Sequence, residues 1–456
     1  MRRKYFFGFI AVILAMSLVL GACGGSSDGN PSETSNGQGE SSGSTSSGNG
    51  NEPVIVRWWS WNPDKEKGKD YVEAFNASHT DVQVEYINYE YNDYVQTLKL
   101  EMMSGGEVDI FGLQAGAMLK EYDGFTEDLA PYAVKEWGEN WKDRFYELGL
   151  SQTSYGEKVS ALPWFLSAAG YLYYNNTLLE REGLEPPKTY QEWVELSQTL
   201  ADRGITPFIH GGKDAWQNFD MFIALANEYA PGKIYEAEAG NIEWTDPDLV
   251  KAATTWKEMF ENGIMQKGAL GAVYYPDSYD KFNKGEAIFT MIGTWNDNRM
   301  TKTVLATHRE KYGVTEDYEF LTIPFPDVNG DGQPGRVFGG PDVALAMNKN
   351  SNNKEAAWTF LKWMVSEGGQ EINAKYLMLP SIKGVEMSDE DTLTDRQKEI
   401  LKQHVSDLDN SVGRRELLYP EIKTALADAL QMIASGQMSP EEGMQHVQSV
   451  SEELER

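Results

Sequence analysis

From Glu52 onward, short apolar runs alternate with stretches whose apolar residues recur every three or four positions. VIVRWW, starting at Val54, predicts a strand, and KGKDYVEAFNASH predicts a helix with Tyr71, Val72 and Phe75 on one face. VQVEYINY predicts a second strand, YVQTLKLEMMSG a helix ending at Gly105, and VDIFGLQ a short third strand. This β-α-β-α order predicts an α/β lobe with a largely parallel sheet. The stretch from about Trp164 to Met300 is more helical. TYQEWVELSQTLADRG reads as an amphipathic helix capped by Thr189 and stopped at Gly204, and LVKAATTWKEMFENG repeats that logic between Asp246-Pro247 and Gly263. In NSNNKEAAWTFLKWMVSEGG, Ala357, Phe360, Leu361 and Met364 keep the spacing of a core face, and Gly368-Gly369 is expected to end the helix. The C-terminus reads as helical from about Glu421, and nothing repeats at a fixed period.

The segment VRWWSWNP crowds Trp58, Trp59 and Trp61 together. Strand side chains alternate faces, so Trp58 and Ser60 share one face and Trp59 and Trp61 the other. Trp58 and Trp59 are expected to pack, and Trp61 to reach the strand's end. In α/β sheets ligands sit outside the carboxyl ends of the strands. Trp61, Asn62, Tyr89, Tyr91 and Gln114 all fall at or just past such ends. A folded part of roughly 400 residues exceeds one ordinary core, so two lobes with a cleft between them are expected.

The first residues carry a different message. Arg2, Arg3 and Lys4 precede an apolar run and then small residues, the pattern of a secretory signal over residues 1–22. Leu20-Gly21-Ala22-Cys23 resembles a bacterial lipobox, which implies cleavage before Cys23 and lipidation of that residue. Cys23 is the single cysteine, so the mature chain has no intrachain disulfide and is held by its core alone. Residues 23–52 are rich in Gly, Ser and Asn and read as a flexible tether with a reach on the order of 30 Å. A G-x-S-x-G string from Gly39 lies in this tether, without the strand-turn-helix that gives it meaning. The expected location is the extracytoplasmic face of a cell membrane, held by the lipid alone, and the tether's length suits a thick Gram-positive wall.

A formal net charge of −30 argues against nucleic acid and anionic lipid as partners. The five histidines, His79, His210, His308, His404 and His446, are scattered, with no H-E-x-x-H and no second cysteine, so no catalytic zinc site is expected. The 12 % aromatic content favours a ligand with flat apolar faces.

Four segments in order, ALPWFLSAAGYLYYNNTLLEREGLEPPKTYQEWVELSQTL, YDKFNKGEAIFTMIGTWND, VFGGPDVALAMNKNSNNKEAAWTFLKWMVSEGGQ and LMLPSIKGV, carry a family resemblance. Together, behind a lipobox, they resemble the carbohydrate-type extracellular solute-binding proteins of ABC transporters, the class that includes maltose-binding protein. The resemblance implies a two-lobe, periplasmic-binding-protein-like α/β fold with an interlobe ligand cleft and a hinge. It places the lobes at residues 53–163 plus 325–378 and 164–324 plus 379–456, with crossings near Pro163, Pro324 and Leu379. It implies a monomer without cofactor or enzymatic activity that captures a sugar and hands it to the permease subunits of an ABC importer. The number of tryptophans points to an oligosaccharide. The rival readings are the same fold serving a non-sugar solute or a sensor, and a secreted glycoside hydrolase using two carboxylates.

A sugar ring offers hydroxyls at its edge and C–H groups on its face, so its site needs an aromatic platform beside polar side chains. The resemblance places Trp61 and Asn62 at a first-strand end that contacts sugar, Gln114 after the third strand, and Trp164 at the first crossover. It places Asp214 and Trp216 in the second lobe, and Trp295, Asn296 and Asp297 on a strand-to-loop with a stacking aromatic. Gly339 and Gly340 are expected on a loop that a ligand approaches, with Asp342 as a hydroxyl acceptor and Arg415 and Tyr419 at the border. Asp327, Asn329 and Asp331 match the start of a calcium loop, but its twelfth position is Phe338 rather than an acid, so a polar turn is the plainer reading.

Overall fold

Val54–Ser60 (β1) is a strand of β-branched and aromatic residues, and it pairs in parallel with Val82–Asn88 (β2) and Ile110–Leu113 (β3). The computed structural model describes residues 52–455. The expected signal, the Cys23 lipidation site and the tether before Glu52 lie outside the described residues. The chain continues through Leu162–Ala169 (β4), Tyr171–Asn175 (β5), Thr206–Phe208 (β6), Ala287–Ile292 (β7), Phe320–Pro324 (β8), Phe338–Met347 (β9) and Leu379–Pro380 (β10). Two main sheets result, ordered β10-β4-β9-β3-β1-β2 and β8-β5-β7-β6, and each heads an α/β lobe, with Ser154–Tyr155 and Lys158–Val159 forming a separate two-stranded ribbon.

The large sheet is mixed, which corrects the expected largely parallel one. β9 runs antiparallel to both β3 and β4, and β10 antiparallel to β4. β4 therefore runs with β1–β3, whereas β9 and β10 run against them. No local pattern records that direction.

Gly170, at φ 97°, is the sole residue between β4 and β5, and it carries the chain from the large sheet to the small one. A Cβ there would press on the Phe338 ring at 3.3 Å. The first switch between sheets therefore falls at Gly170 and not at residues 163–164. Pro163 already faces Ala344 of β9 within the large sheet. The chain returns between Pro324 and Phe338. After β10, the helices Pro420–Ala434 and Pro440–Glu452 close over the small sheet, burying Ile422, Leu426, Leu430, Met444 and Val447 in its core.

The helices obey their local signals. Thr189 makes a reciprocal capping box with Glu192, Asp246 caps the helix Pro247–Glu261, and Gly105 ends the helix Tyr91–Ser104 in a left-handed conformation. One stop signal fails. The helix Lys354–Met364 breaks at Val365, and Gly368 and Gly369 sit inside the next helix, Glu367–Lys375. A Cβ on Gly369 would lie 2.4 Å from the Met364 carbonyl oxygen, so this glycine permits a close turn of helix on helix rather than a cap.

The tryptophan cluster divides as strand alternation requires. Trp58 is fully buried, stacked on Tyr86 across the strand pair at 4.0 Å and edge-on to Trp164 at 5.8 Å. Trp59 points to the opposite core, near Tyr89. Trp61 follows the end of β1 and is half-buried. Trp58→Ala is expected to lower unfolding free energy by about 3–5 kcal/mol, because the cavity is ringed by rigid aromatics. Exposed Val405→Ala should change it by no more than about 0.5 kcal/mol. Urea unfolding followed by circular dichroism separates the two.

Candidate functional site

Side chains from both lobes meet beyond the carboxyl ends of β1, β2 and β3. Trp61 lies edge-on to Tyr91 at 5.4 Å. Tyr91 opens the helix that follows β2, and its hydroxyl donates to Gln114 Oε1 at 2.6 Å. The next residue, Asn92, donates from Nδ2 to Asp214 Oδ1 at 3.2 Å. Asp214 precedes the helix Ala215–Tyr229 on the small-sheet side, so this bond joins the two lobes. Its second oxygen accepts the Tyr274 backbone N–H at 2.7 Å.

A layer of aromatics lies beside Asp214. Trp216 stacks on Tyr275, with centroids 5.9 Å apart and planes 20° apart, and meets Trp295 edge-on at 6.3 Å. Trp295 follows β7 and folds back over Gly293, where a Cβ would stand only 1.9 Å from the indole. Glycine is therefore obligatory for that ring position. The Trp295 Nε1–H donates to the Tyr275 hydroxyl at 3.3 Å, and Asn296 Nδ2 donates to the same oxygen at 2.9 Å.

Arg415 closes the floor of this site. Its guanidinium lies 4.1 Å from the Trp295 ring centroid. Nε and one terminal nitrogen grip Asp220 at 2.9 Å each, and the other terminal nitrogen donates to Asp342 at 2.6 Å. Asp342 gets there through a β-bulge. Pro341 lacks an N–H, the β9–β4 register shifts between Pro341 and Val343, and the extra residue turns out of the ladder. One cation thus serves two buried acids. Burial pushes the Asp342 carboxyl up to about 6, the Asp220 and Glu416 charges add to that, and Arg415 opposes it.

Trp61, Gln114, Asp214, Trp216, Trp295, Asn296 and Asp342 come together in this arrangement, while Asn62 follows Trp61 in a turn in which its carbonyl accepts from Ser60 Oγ at 2.7 Å. Four expectations are corrected. Trp164 is a core residue, fully buried and edge-on to Tyr71 at 5.3 Å. Strand β4 is covered on both faces, so alternation along it does not expose either side. Asp297 points into the small-sheet lobe, where it accepts from Tyr173 Oη at 2.6 Å and bonds His404 Nδ1 at 2.8 Å. Gly339 and Gly340 stand in strand β9 rather than on a loop. Gly340, at φ 142°, leaves room for Gln152, whose Nε2 donates to the Gly339 carbonyl at 3.1 Å.

The candidate calcium residues close a turn on their own backbone. Asp327 accepts the N–H of Gly330 at 2.7 Å and of Gly332 at 2.9 Å, and Asn329 and Asp331 accept from Asp331 and Gln333 at 2.8 Å each. Among the described residues no group of three or more His, Cys, Asp or Glu is placed to hold a metal ion.

Sequence reasoning missed Asn92, Asp220 and Tyr275. The doublet Tyr274-Tyr275 before Pro276 was a usable signal for an aromatic platform. Asp220 had none, since an acid inside a helix reads as a solvated face.

The Asp342 carboxyl binds its proton more tightly in the folded chain than in the unfolded one, where it returns to about 3.8. Its contribution to stability is complete below that value and is lost as pH rises through about 6. Asp342→Asn removes the titration while keeping an acceptor for Arg415. Urea midpoints of variant and parent, measured at pH 4 and pH 7.5, should shift relative to each other in favour of the variant at the higher pH. A constant difference would show that Asp342 is unperturbed.

Residues 60–371 match the bacterial extracellular solute-binding protein family. An uncharacterized ABC transporter extracellular-binding protein of Pyrococcus horikoshii is 24 % identical over 321 residues, and the match spans 65 % of each chain. The melibiose/raffinose/stachyose-binding protein of Bacillus subtilis is 21 % identical over 336 residues, covering 72 % of this chain and 73 % of that one. The maltose-bound MalE3 structure from T. maritima superposes with a TM-score of 0.70 at 20 % identity, covering 88 % of this chain and 99 % of the other. With its two lobes, the cleft residues gathered at their strand ends and the family match over most of its folded length, this chain belongs to the bacterial extracellular solute-binding proteins.

Proposed function

We propose that the protein captures a carbohydrate, an oligosaccharide in preference to a single sugar, in the cleft between its lobes and delivers it to the permease of an ABC importer. The observation that carries this reading is the aromatic layer of Trp216, Tyr275 and Trp295 set beside Asp214 and across from Trp61 and Gln114. Flat rings bury the C–H face of a sugar, and carboxylates and amides accept and donate at its edge. A relative named for binding melibiose, raffinose and stachyose, and a neighbour solved with maltose, support the same class of ligand. Asn92 and Asp214 meet across the cleft, as a hinged closure on a ligand requires. Lipid attached at Cys23 would keep the protein at the outer membrane face, with the tether letting it reach the permease. No helix among the described residues is long and apolar enough to cross a membrane. The role is binding without chemistry.

Titration of the purified protein with maltose, raffinose, xylobiose and diacetylchitobiose, followed by tryptophan fluorescence, tests the proposal. One sugar class should give a saturable change. Trp295→Ala should weaken that sugar by tenfold or more, equivalent to about 1.4 kcal/mol. Trp164→Phe, altered only in the core, should bind it as the parent does. A folded protein that responds to no sugar, or one indifferent to loss of Trp295, overturns the reading.

A further inference from the structure

Arg299 is fully buried, yet it forms no ion pair with a described residue. Its guanidinium lies among the rings of Tyr173, Tyr279, Phe282 and Phe320, at 5.0 to 5.7 Å from their centroids. Two of its hydrogen bonds go to Asn296. Nε donates to the Asn296 carbonyl at 3.3 Å, and a terminal nitrogen donates to Asn296 Oδ1 at 3.1 Å. A guanidinium has five N–H donors, no acceptor, and stays charged. It can therefore face only the oxygen of the Asn296 amide, which turns the NH2 group outward onto Tyr275 Oη at 2.9 Å.

The Tyr275 oxygen then receives two N–H groups, from Asn296 and from Trp295, whose indole can only donate. Both acceptor positions of the phenol oxygen are filled. Its own O–H makes no hydrogen bond to a described residue. Desolvation also holds the phenol above its ordinary value, so the proton stays on. Tyr275 is 36 % exposed and stacked on Trp216, so the free O–H is presented at the aromatic layer of the cleft.

We propose that Arg299 is a positioning residue that fixes the hydrogen-bond polarity of Tyr275, making its hydroxyl an obligate donor to a bound sugar oxygen. The inference rests on the carbohydrate reading above. It makes Tyr275 a specificity residue. At one ring position the sugar must offer an acceptor, and whether that group can also donate is immaterial.

Deoxy and deoxyfluoro sugars separate these properties, because C–F accepts weakly and cannot donate. Whichever of maltose, raffinose, xylobiose or diacetylchitobiose binds is compared by calorimetry with its monodeoxy and monodeoxyfluoro forms. At one position the parent protein should bind the fluoro form within about twofold of the natural sugar, and the deoxy form about five- to tenfold more weakly. Asn296→Asp keeps the contact with Arg299 but presents a carboxylate oxygen to Tyr275. The phenol must then donate inward, and the site becomes an acceptor. This variant should reject the fluoro form as strongly as the deoxy form. A merely structural role for Arg299 and Asn296 would weaken all three sugars alike. Tyr275→Phe should abolish the split, and it decides the matter if Asn296→Asp does not fold.

No position with such a split, or the same split in the variants, overturns the proposal. Failure of every sugar to bind the parent overturns the carbohydrate reading instead. Neutron diffraction of the deuterated protein then settles the polarity alone. A deuteron on Tyr275 Oη directed away from Asn296 and Trp295 supports the proposal, and one directed at Asn296 overturns it.

Discussion

The buried guanidinium of Arg415 is the interaction on which the site depends. It joins three segments remote in the chain: Asp220 inside the helix Ala215–Tyr229, Asp342 on the bulge of β9, and its own stretch leading into the C-terminal helices. Its planar face also lies over the Trp295 ring. A lysine cannot replace it, because only a planar fork grips a carboxylate with two bonds while stacking on an indole. Loss of one partner from such a buried cluster costs roughly 3–5 kcal/mol, because it strands a charge without water. The cluster therefore fixes the tilt of an aromatic ring at the cleft as well as the join between the small-sheet lobe and the strand that brings the chain back to the large sheet.

Small backbone irregularities supply the rest of the geometry. Gly170 turns the chain from one sheet to the other in a single residue, and Gly293 lets Trp295 fold onto the backbone beneath it. Pro341 interrupts the β9 ladder and so re-aims Asp342. In each case the residue works by lacking something, a Cβ or an N–H, at a place where the regular element would have pointed a side chain elsewhere. The buried polar links behind the cleft act in the same way at one remove. His404 and Tyr173 hold Asp297, and Arg299 holds Asn296, on the one short segment that also carries Trp295.

Several elements were legible because their signals are local. Alternation along β1 separated Trp58 from Trp59 and Trp61. Thr189, Asp246 and Gly105 marked helix ends that the backbone alone dictates. Trp164 was not legible, since a strand covered on both faces buries odd and even residues alike. Nor was the second glycine pair. Gly368-Gly369 has the composition of a stop, and only the neighbouring Met364 backbone shows that it serves close packing.

What this sequence determined by itself is what depends on near neighbours in the chain: the element order, most helix caps, the alternation of β1, and the motifs that carry the family likeness. Tertiary structure alone decided the antiparallel course of β9 and β10, the burial of Trp164 and Asp297, and the meeting of Asp220, Asp342 and Arg415. The physical reason is range. Propensity and periodicity act over a few residues, whereas a buried charge or a strand's direction is settled by a partner far away in sequence. Asp342 and Arg415, separated by 73 positions, each find their purpose only in the other.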